Sequence, residues 1–441
     1  MAGRVVKLGT KKQAQVKSAP KDPRVQDADQ FLLPTYKRQS FVLKHGRGCY
    51  VYDADGKQYL DFLGGIAVNA LGHAHPKIVK VIRRQAARAI HFSNLYHNEF
   101  QGPLARKLAE LSGMDRVFFC NSGTEAIDGA MKLARLCAHE GQNLSKQAKK
   151  YRFLALENSF HGRTFGAISV TATEKYRVPF APVVPGVEFV CFNDVADLES
   201  KFDDTVCGIL LETIQGEGGV YPVSESFWNR ARALATQHRA LFIADEIQCG
   251  LGRTGKYFAY QRFSSKPDIA VIAKPLAAGL PLGAIMTSEE VASRVSPGLH
   301  GTTFGGGPLV CAAALEFLRV IEAEKLLQNI RARGEELRAG LENLKKNFKI
   351  IRELRTEGLM IGIQLSMDGA PLVAEAAKRG LLINCTHDFT IRLLPPFIVN
   401  RTQVREFLRL FELVLETVSK TTTTKPGNAV DAPLTAHAAA R

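Results

Sequence analysis

The chain has 441 residues, 46% of them hydrophobic, and its 58 lysines and arginines against 43 acids give a formal charge of +15. That length supplies a large core and points to two domains, while the longest apolar runs are far too short to span a bilayer as a helix. Eight scattered cysteines without a CxxC pair exclude a disulfide framework and a cysteine-based zinc site, and they fit reduced thiols in a cytoplasmic protein.

Residues 1–30 read as a disordered basic tail. Between positions 1 and 24, seven lysines and arginines face Asp22 alone in a segment of low hydrophobicity. The tail has no aromatic interleaving and is richer in lysine than in arginine, so neither a nucleic-acid arm nor a transit peptide is expected. In Gly72-His73-Ala74-His75-Pro76, two histidines lack further ligands at metal-site spacing and read as a structural turn. Val117 to Phe119 reads as a strand. It is followed by Asn121-Ser122-Gly123-Thr124 and a helical pattern carrying Ala126, Ile127, Ala130, Met131, Ala134 and Cys137. Ser122 and Thr124 sit where free backbone N–H groups and hydroxyls either cap the helix or hold a phosphate.

Arg152 to Leu156, Val187 to Phe192, Gly208 to Leu211 and Leu241 to Ala244 read as strands between helical patterns, the signature of an α/β sheet with helices on both faces. The run Leu241–Ala244 ends in Asp245, and the run Ile269–Ala273 ends in Lys274. Such uninterrupted apolar runs suit strands buried on both faces of a parallel sheet, whose carboxyl ends form the ligand crevice. Two core strands capped by surface charges would read the same way, but one chemistry needs a carboxylate and a lysine there: pyridoxal phosphate (PLP), with the lysine as Schiff base and the acid at the ring nitrogen. Gly301-Thr302-Thr303-Phe304-Gly305-Gly306-Gly307 suits a second phosphate contact. From about Leu309 to Leu344 the pattern is continuously helical. Arg392, inside Thr390-Ile391-Arg392-Leu393-Leu394, is expected to meet a carboxylate, because a buried guanidinium needs a planar anionic partner. Residues 421–441 open on four threonines and read as a second disordered tail.

The motifs NSGTEA (121–126), FHGRT (160–164), ETIQGEGG (212–219), ADEIQCGLGRTG (244–255), AKPLAAGLP (273–281) and GTTFGG (301–306) occur in one order along the chain. Through them residues 31 to 420 resemble the class III (subgroup II) aminotransferases. The resemblance implies a PLP-dependent transferase of fold type I. Residues 66–310 would form a large cofactor domain with a mostly parallel sheet, and residues 31–65 would join a small domain at 311–420.

By resemblance Lys274 and Asp245 are catalytic, and Gln248 bonds the phenolic oxygen of the cofactor. Phe160 stacks on the ring, although a buried aromatic in isolation reads more readily as core. Ser122, Gly123 and Thr124 bind the phosphate, together with Thr302 and Thr303 from a partner subunit, so a homodimer with shared sites is implied. Tyr36, Arg163, Glu217 and Arg392 contact substrate, with Glu217 covering Arg392 while an ω-amino substrate is bound. Glu212 is a further active-site acid.

GIAVNALGHAHP (65–76) and SNLYHNE (93–99) point, within the family, to transfer of the terminal amino group of N-acetylornithine to 2-oxoglutarate. Ornithine, succinylornithine, 4-aminobutyrate and carrier-linked aminoadipate semialdehyde enzymes share the motifs, and an acidic carrier would suit the basic body. A PLP-fold binding protein without activity is the alternative of a different class, but it would be expected to lack Lys274 or Asp245. Two positions depart from the family pattern. Pro275 restricts the backbone of Lys274 toward an extended conformation, which suits a strand end, and Gly307 replaces a common asparagine.

Overall fold

The computed structural model describes residues 22–139 and 149–423. Most of residues 1–24 and the positions from 424 onward, including most of both expected tails, lie outside the described residues.

A seven-stranded sheet organises the middle of the chain. Its strands are β1 (Arg116–Cys120), β2 (Arg152–Leu156), β3 (Val187–Val190), β4 (Val206–Glu212), β5 (Leu241–Asp245), β6 (Ile269–Ile272) and β7 (Gly283–Thr287), in spatial order β1-β7-β6-β5-β4-β2-β3. Only β7 runs against the rest, pairing antiparallel with both β1 and β6. Every residue of β4 is buried. The two-residue period of a strand divides the apolar run between the two faces of the sheet. Phe242, Ala244, Ala270 and Ile272 join one core cluster, whereas Ile243, Ile269 and Val271 join another. The second cluster is closed by helix α1 (Gly123–Ala138) through Ala126, Ile127, Ala130, Met131 and Ala134. The parallel strands therefore deliver their carboxyl ends to one edge.

Around this sheet lie two four-stranded sheets. Gln58–Asp61 pairs in parallel with Leu381–Leu382, so a segment near the start of the chain is hydrogen-bonded to one near its end. Phe62 stacks on Phe407 at 4.4 Å between ring centroids. The other sheet places Thr390–Leu393 between Met360–Leu365 and Asn384–Thr386, all antiparallel.

Three expectations need correction. The segment expected to be disordered up to residue 30 contains a helix at Pro23–Phe31, where Asp22 caps the Arg24 N–H at 2.8 Å and Pro23 takes the first turn. The helical stretch after Leu309 is two helices, α2 (Pro308–Ala323) and α3 (Leu326–Asn347), separated by Lys325 in a left-handed conformation at φ 51°. At the other end, helix α4 (Arg401–Thr423) runs three residues into the segment expected to be a tail.

Candidate active site

The ends of three adjacent strands converge. Glu212 ends β4, Asp245 ends β5 directly beside it in register, and Lys274 follows β6. They line one cavity of about 440 Å³ together with Ser122, Gly123, Thr124, Phe160, His161, Arg163, Ile247 and Gln248. A cavity of this size with few convergent polar groups suits a cofactor-sized ligand.

Asp245 is held rigidly. One carboxylate oxygen accepts from the Ile247 N–H at 2.9 Å, and the other faces His161 Nδ1 at 2.7 Å. Both side chains are buried, and His161 Nε2 has no hydrogen-bond partner. Facing a carboxylate fixes the proton on Nδ1, so the histidine orients Asp245 from behind. Glu212 accepts from the N–H groups of Phe160 at 2.9 Å and Gly216 at 2.8 Å. Burial, opposed by His161 and reinforced by Asp245, pushes its carboxyl up to about 7. Burial also lowers the Lys274 amine, against the pull of Asp245 and Glu217, so more of it is in the nucleophilic neutral form than at an exposed lysine.

At the start of α1, Ser122 is a working N-cap: its hydroxyl accepts from the Glu125 N–H at 3.3 Å. Thr124 spends its hydroxyl on the turn after Gly162, lying 2.7 Å from Thr164 Oγ1 and accepting from the Thr164 N–H at 3.2 Å. Gly162 has φ 135°, and a Cβ there would collide with Thr124. The first-turn N–H groups of Gly123 and Thr124 lack intrahelical acceptors and open onto the cavity. Arg163 lies 3.7 Å above the Tyr176 ring, and Phe160 meets Tyr176 edge-on.

Arg392 lies outside that lining, on the middle strand of the neighbouring sheet, and is fully buried. Its Nη1 donates to Glu217 Oε1 at 2.6 Å and to Gln248 Oε1 at 3.1 Å, and its Nε is unpartnered. The Asn384 amide, with its oxygen turned toward the guanidinium, accepts from Nη2 at 2.9 Å. Burial alone would raise the Glu217 carboxyl, but Arg392, joined by Lys274 and Thr386, holds the group below its ordinary range. Gln248 thus links the arginine pair to the cavity it lines.

Besides Glu217 and Arg392, three expected positions are not brought to this cavity. Tyr36 is 75% exposed, with Arg38 rather than a pocket wall against its ring. Thr303 is exposed. Thr302 is half-buried and accepts from the Asn121 amide at 3.2 Å. Sequence reasoning missed His161 as the partner of Asp245, and Asn384 as the partner of Arg392. It also missed Glu246, a buried acid that accepts from Thr213, Ala259 and Tyr260 and whose carboxyl burial pushes up to about 7. His73 meets Asp61 at 2.8 Å, and Asp61 also caps the Leu63 and Gly64 N–H groups. Among the described residues no group of three metal-ligating side chains converges.

The cavity fits PLP on three counts: an amine lowered by burial, a carboxylate with both oxygens anchored, and a helix start with free N–H groups. At that helix start a Cβ on Gly123 would lie 2.7 Å from Ile247 Cδ1, so a larger residue there would have to displace the Ile247 side chain.

Comparison with known proteins agrees. Residues 34–415 match the family model described as aminotransferase class-III. An acetylornithine aminotransferase of Caldanaerobacter subterraneus is 43% identical over 88% of this chain and 98% of its own length, and one of Methanocaldococcus jannaschii is 42% identical over 88% and 97%. Among solved structures, the ornithine aminotransferase of Toxoplasma gondii superposes with a TM-score of 0.86 at 32% identity, covering 92% of this chain and 97% of that one. The chain belongs to the class III aminotransferases, which are PLP-dependent enzymes.

Proposed function

We propose that the enzyme transfers the terminal amino group of N-acetylornithine to 2-oxoglutarate, giving N-acetylglutamate semialdehyde and glutamate for arginine biosynthesis. The observation that carries this reading is the Glu217–Arg392 pair at 2.6 Å. An ω-amino donor brings no carboxylate next to its reacting carbon, so it would leave a bare buried guanidinium, which costs several kcal/mol. Glu217 supplies the missing charge. Glutamate and 2-oxoglutarate carry their own α-carboxylate, and for them Glu217 moves aside. Relatives at 40–43% identity that bear the name acetylornithine aminotransferase support this donor over ornithine.

PLP, when bound, supplies an aldehyde for the reacting amine and a ring that accepts the electron pair freed as a proton leaves the neighbouring carbon. Lys274 Nζ would take up that proton from the reacting carbon of the substrate and hold it for return. Asp245, fixed by His161, presents the charge that keeps a proton on the ring nitrogen. Gln248 orients the phenolic oxygen, Phe160 covers a ring face, and Ser122, Gly123 and Thr124 receive the phosphate. Arg163, which lines the cavity, receives the distal carboxylate of the donor.

The enzyme acts as a homodimer in the cytoplasm. Asn94 bonds the carbonyls of Thr302 and Gly305 at 3.1 and 3.0 Å. This joins two segments that expose Ile90, Phe92, Leu95, Tyr96 and Phe304. An apolar surface of that extent marks an interface, and burying it against a second copy would bring Thr302 and Thr303 to the partner's phosphate. Among the described residues no helix is long and apolar enough to cross a membrane.

The test is an absorbance titration of the purified holoenzyme with N-acetylornithine and no keto acid. Loss of the lysine-bound cofactor band as the pyridoxamine form appears supports the donor. An unchanged band with N-acetylornithine, but a response to ornithine or 4-aminobutyrate, rejects it.

A further inference from the structure

The short strand Asn384–Thr386 lies against the strand that carries Arg392, with Asn384 opposite Arg392 and Thr386 opposite Thr390. Residues two apart share a strand face, so Asn384 and Thr386 point the same way. Asn384 takes one end of the arginine through Nη2. The buried Thr386 reaches the other partner: its hydroxyl donates to the Glu217 carbonyl and lies 3.3 Å from Glu217 Oε2.

The backbone around Glu217 is pinned on every side. The Gly216 N–H donates to Glu212 at 2.8 Å, Thr386 holds the Glu217 carbonyl, and Arg355 Nε donates to the Gly219 carbonyl at 2.8 Å. Arg355 is itself stacked 3.9 Å from the Tyr221 ring and bonded to Gln364. A loop held in this way does not swing open. To uncover Arg392, the Glu217 side chain must rotate about its own bonds, and its one-third exposure leaves it somewhere to go.

We infer that Thr386 is a positioning residue that sets how readily Glu217 uncovers Arg392, and so sets the balance between ω-amino and α-amino substrates. The inference rests on the ω-aminotransferase reading above. The hydroxyl carries one proton and has two acceptors on the same residue. While Glu217 covers the arginine, the carboxylate shares that proton. When the carboxylate leaves, the proton stays fully engaged on the Glu217 carbonyl, so no buried donor is orphaned in either state. This makes the covered state favourable without making it permanent.

The test uses the holoenzyme with Thr386→Val, which keeps shape and strand preference but lacks the donor, and Thr386→Ser, which restores the donor. Two quantities are read: the affinity for glutarate, an unreactive dicarboxylate that competes with Glu217 for Arg392, and the ratio of single-turnover rates with N-acetylornithine and with glutamate. Thr386→Val should bind glutarate about three- to tenfold more tightly and shift the ratio toward glutamate by a similar factor, and Thr386→Ser should return both to wild type. Equal losses with both donors, or unchanged glutarate affinity, overturn the role of Thr386. If the wild-type enzyme fails to react with N-acetylornithine, the underlying reading falls and takes this inference with it.

Discussion

Among the described residues two arginines are completely buried, and they are buried on different terms. Arg392 meets a carboxylate, Glu217, and two amide oxygens. Arg253 meets no acid: its Nη1 donates to the carbonyls of Leu359 at 3.1 Å and Pro395 at 2.6 Å, its Nε and Nη2 are unpartnered, and its guanidinium lies 4.6 Å from the Phe397 ring. Burial alone lowers Arg253 to about 9, whereas the charge on Arg392 is matched. A counter-ion that belongs to the protein can be exchanged for one that belongs to a substrate. Backbone carbonyls and an aromatic face cannot be exchanged, so they hold a chain in place. Arg253 also ties its own carbonyl to the Leu359 N–H at 3.0 Å, which fastens the loop after β5 to the sheet that carries Arg392. On this comparison Arg392 suits an exchangeable part of the proposed site, and Arg253 suits a latch.

The sharpest way to break the contrast is to remove each charge in turn. Arg392→Gln should lower kcat/KM for 2-oxoglutarate by about a hundredfold or more, because it takes away a buried, hydrogen-bonded charge partner worth roughly 3 kcal/mol or more. Arg253→Ala should do the reverse. Denaturant unfolding should show a loss of about 2–4 kcal/mol from a cavity and two abandoned carbonyls, while kcat with either substrate stays within about threefold. A large kinetic loss in Arg253→Ala with stability intact would place that residue in the chemistry.

Arg253→Met sharpens the same point. The methionine fills much of the space of the arginine stem and brings no uncompensated charge, so unfolding should recover at least about half of the alanine loss.

The smallest effect concerns pH. Because Glu217 is held below its ordinary range, the stability that its ionised form contributes is complete above that range and is lost only as pH falls through the lowered value. Titration of Glu217 should therefore add no slope to the preference between N-acetylornithine and glutamate from about pH 6 to 8. In Arg392→Gln the main lowering partner is gone and only Lys274 and Thr386 oppose burial, so the Glu217 slope should move up toward that window.

Much of the site was legible in the chain because buried parallel strands read as uninterrupted apolar runs. The polar residues that end them, Asp245 and Lys274, stand out against that background, and β5 and β6 do lie side by side. What stayed hidden depends on register and on contacts between distant segments. Nothing local to His161 says that it will reach Asp245, 84 positions away, and nothing near Asn384 or Thr386 names Arg392 and Glu217 as their partners. The break between α2 and α3 was missed for a different reason. Leu318 and Leu326, eight residues apart, keep a helical period across it, and Lys325 adopts its left-handed turn without the glycine that would have announced it. Pro23 did carry a start signal, but a helix with no buried residue has no apolar stripe to reveal it.

The measurement that bears most directly on the account is the single-turnover rate of Glu217→Ala with N-acetylornithine and with glutamate, read from the cofactor absorbance. With its counter-ion removed, Arg392 should accept glutamate more readily and N-acetylornithine less readily, moving the ratio of the two rates by about tenfold or more toward glutamate. A ratio equal to that of the wild-type enzyme would mean that Glu217 does not govern which substrate Arg392 accepts, and would contradict the account.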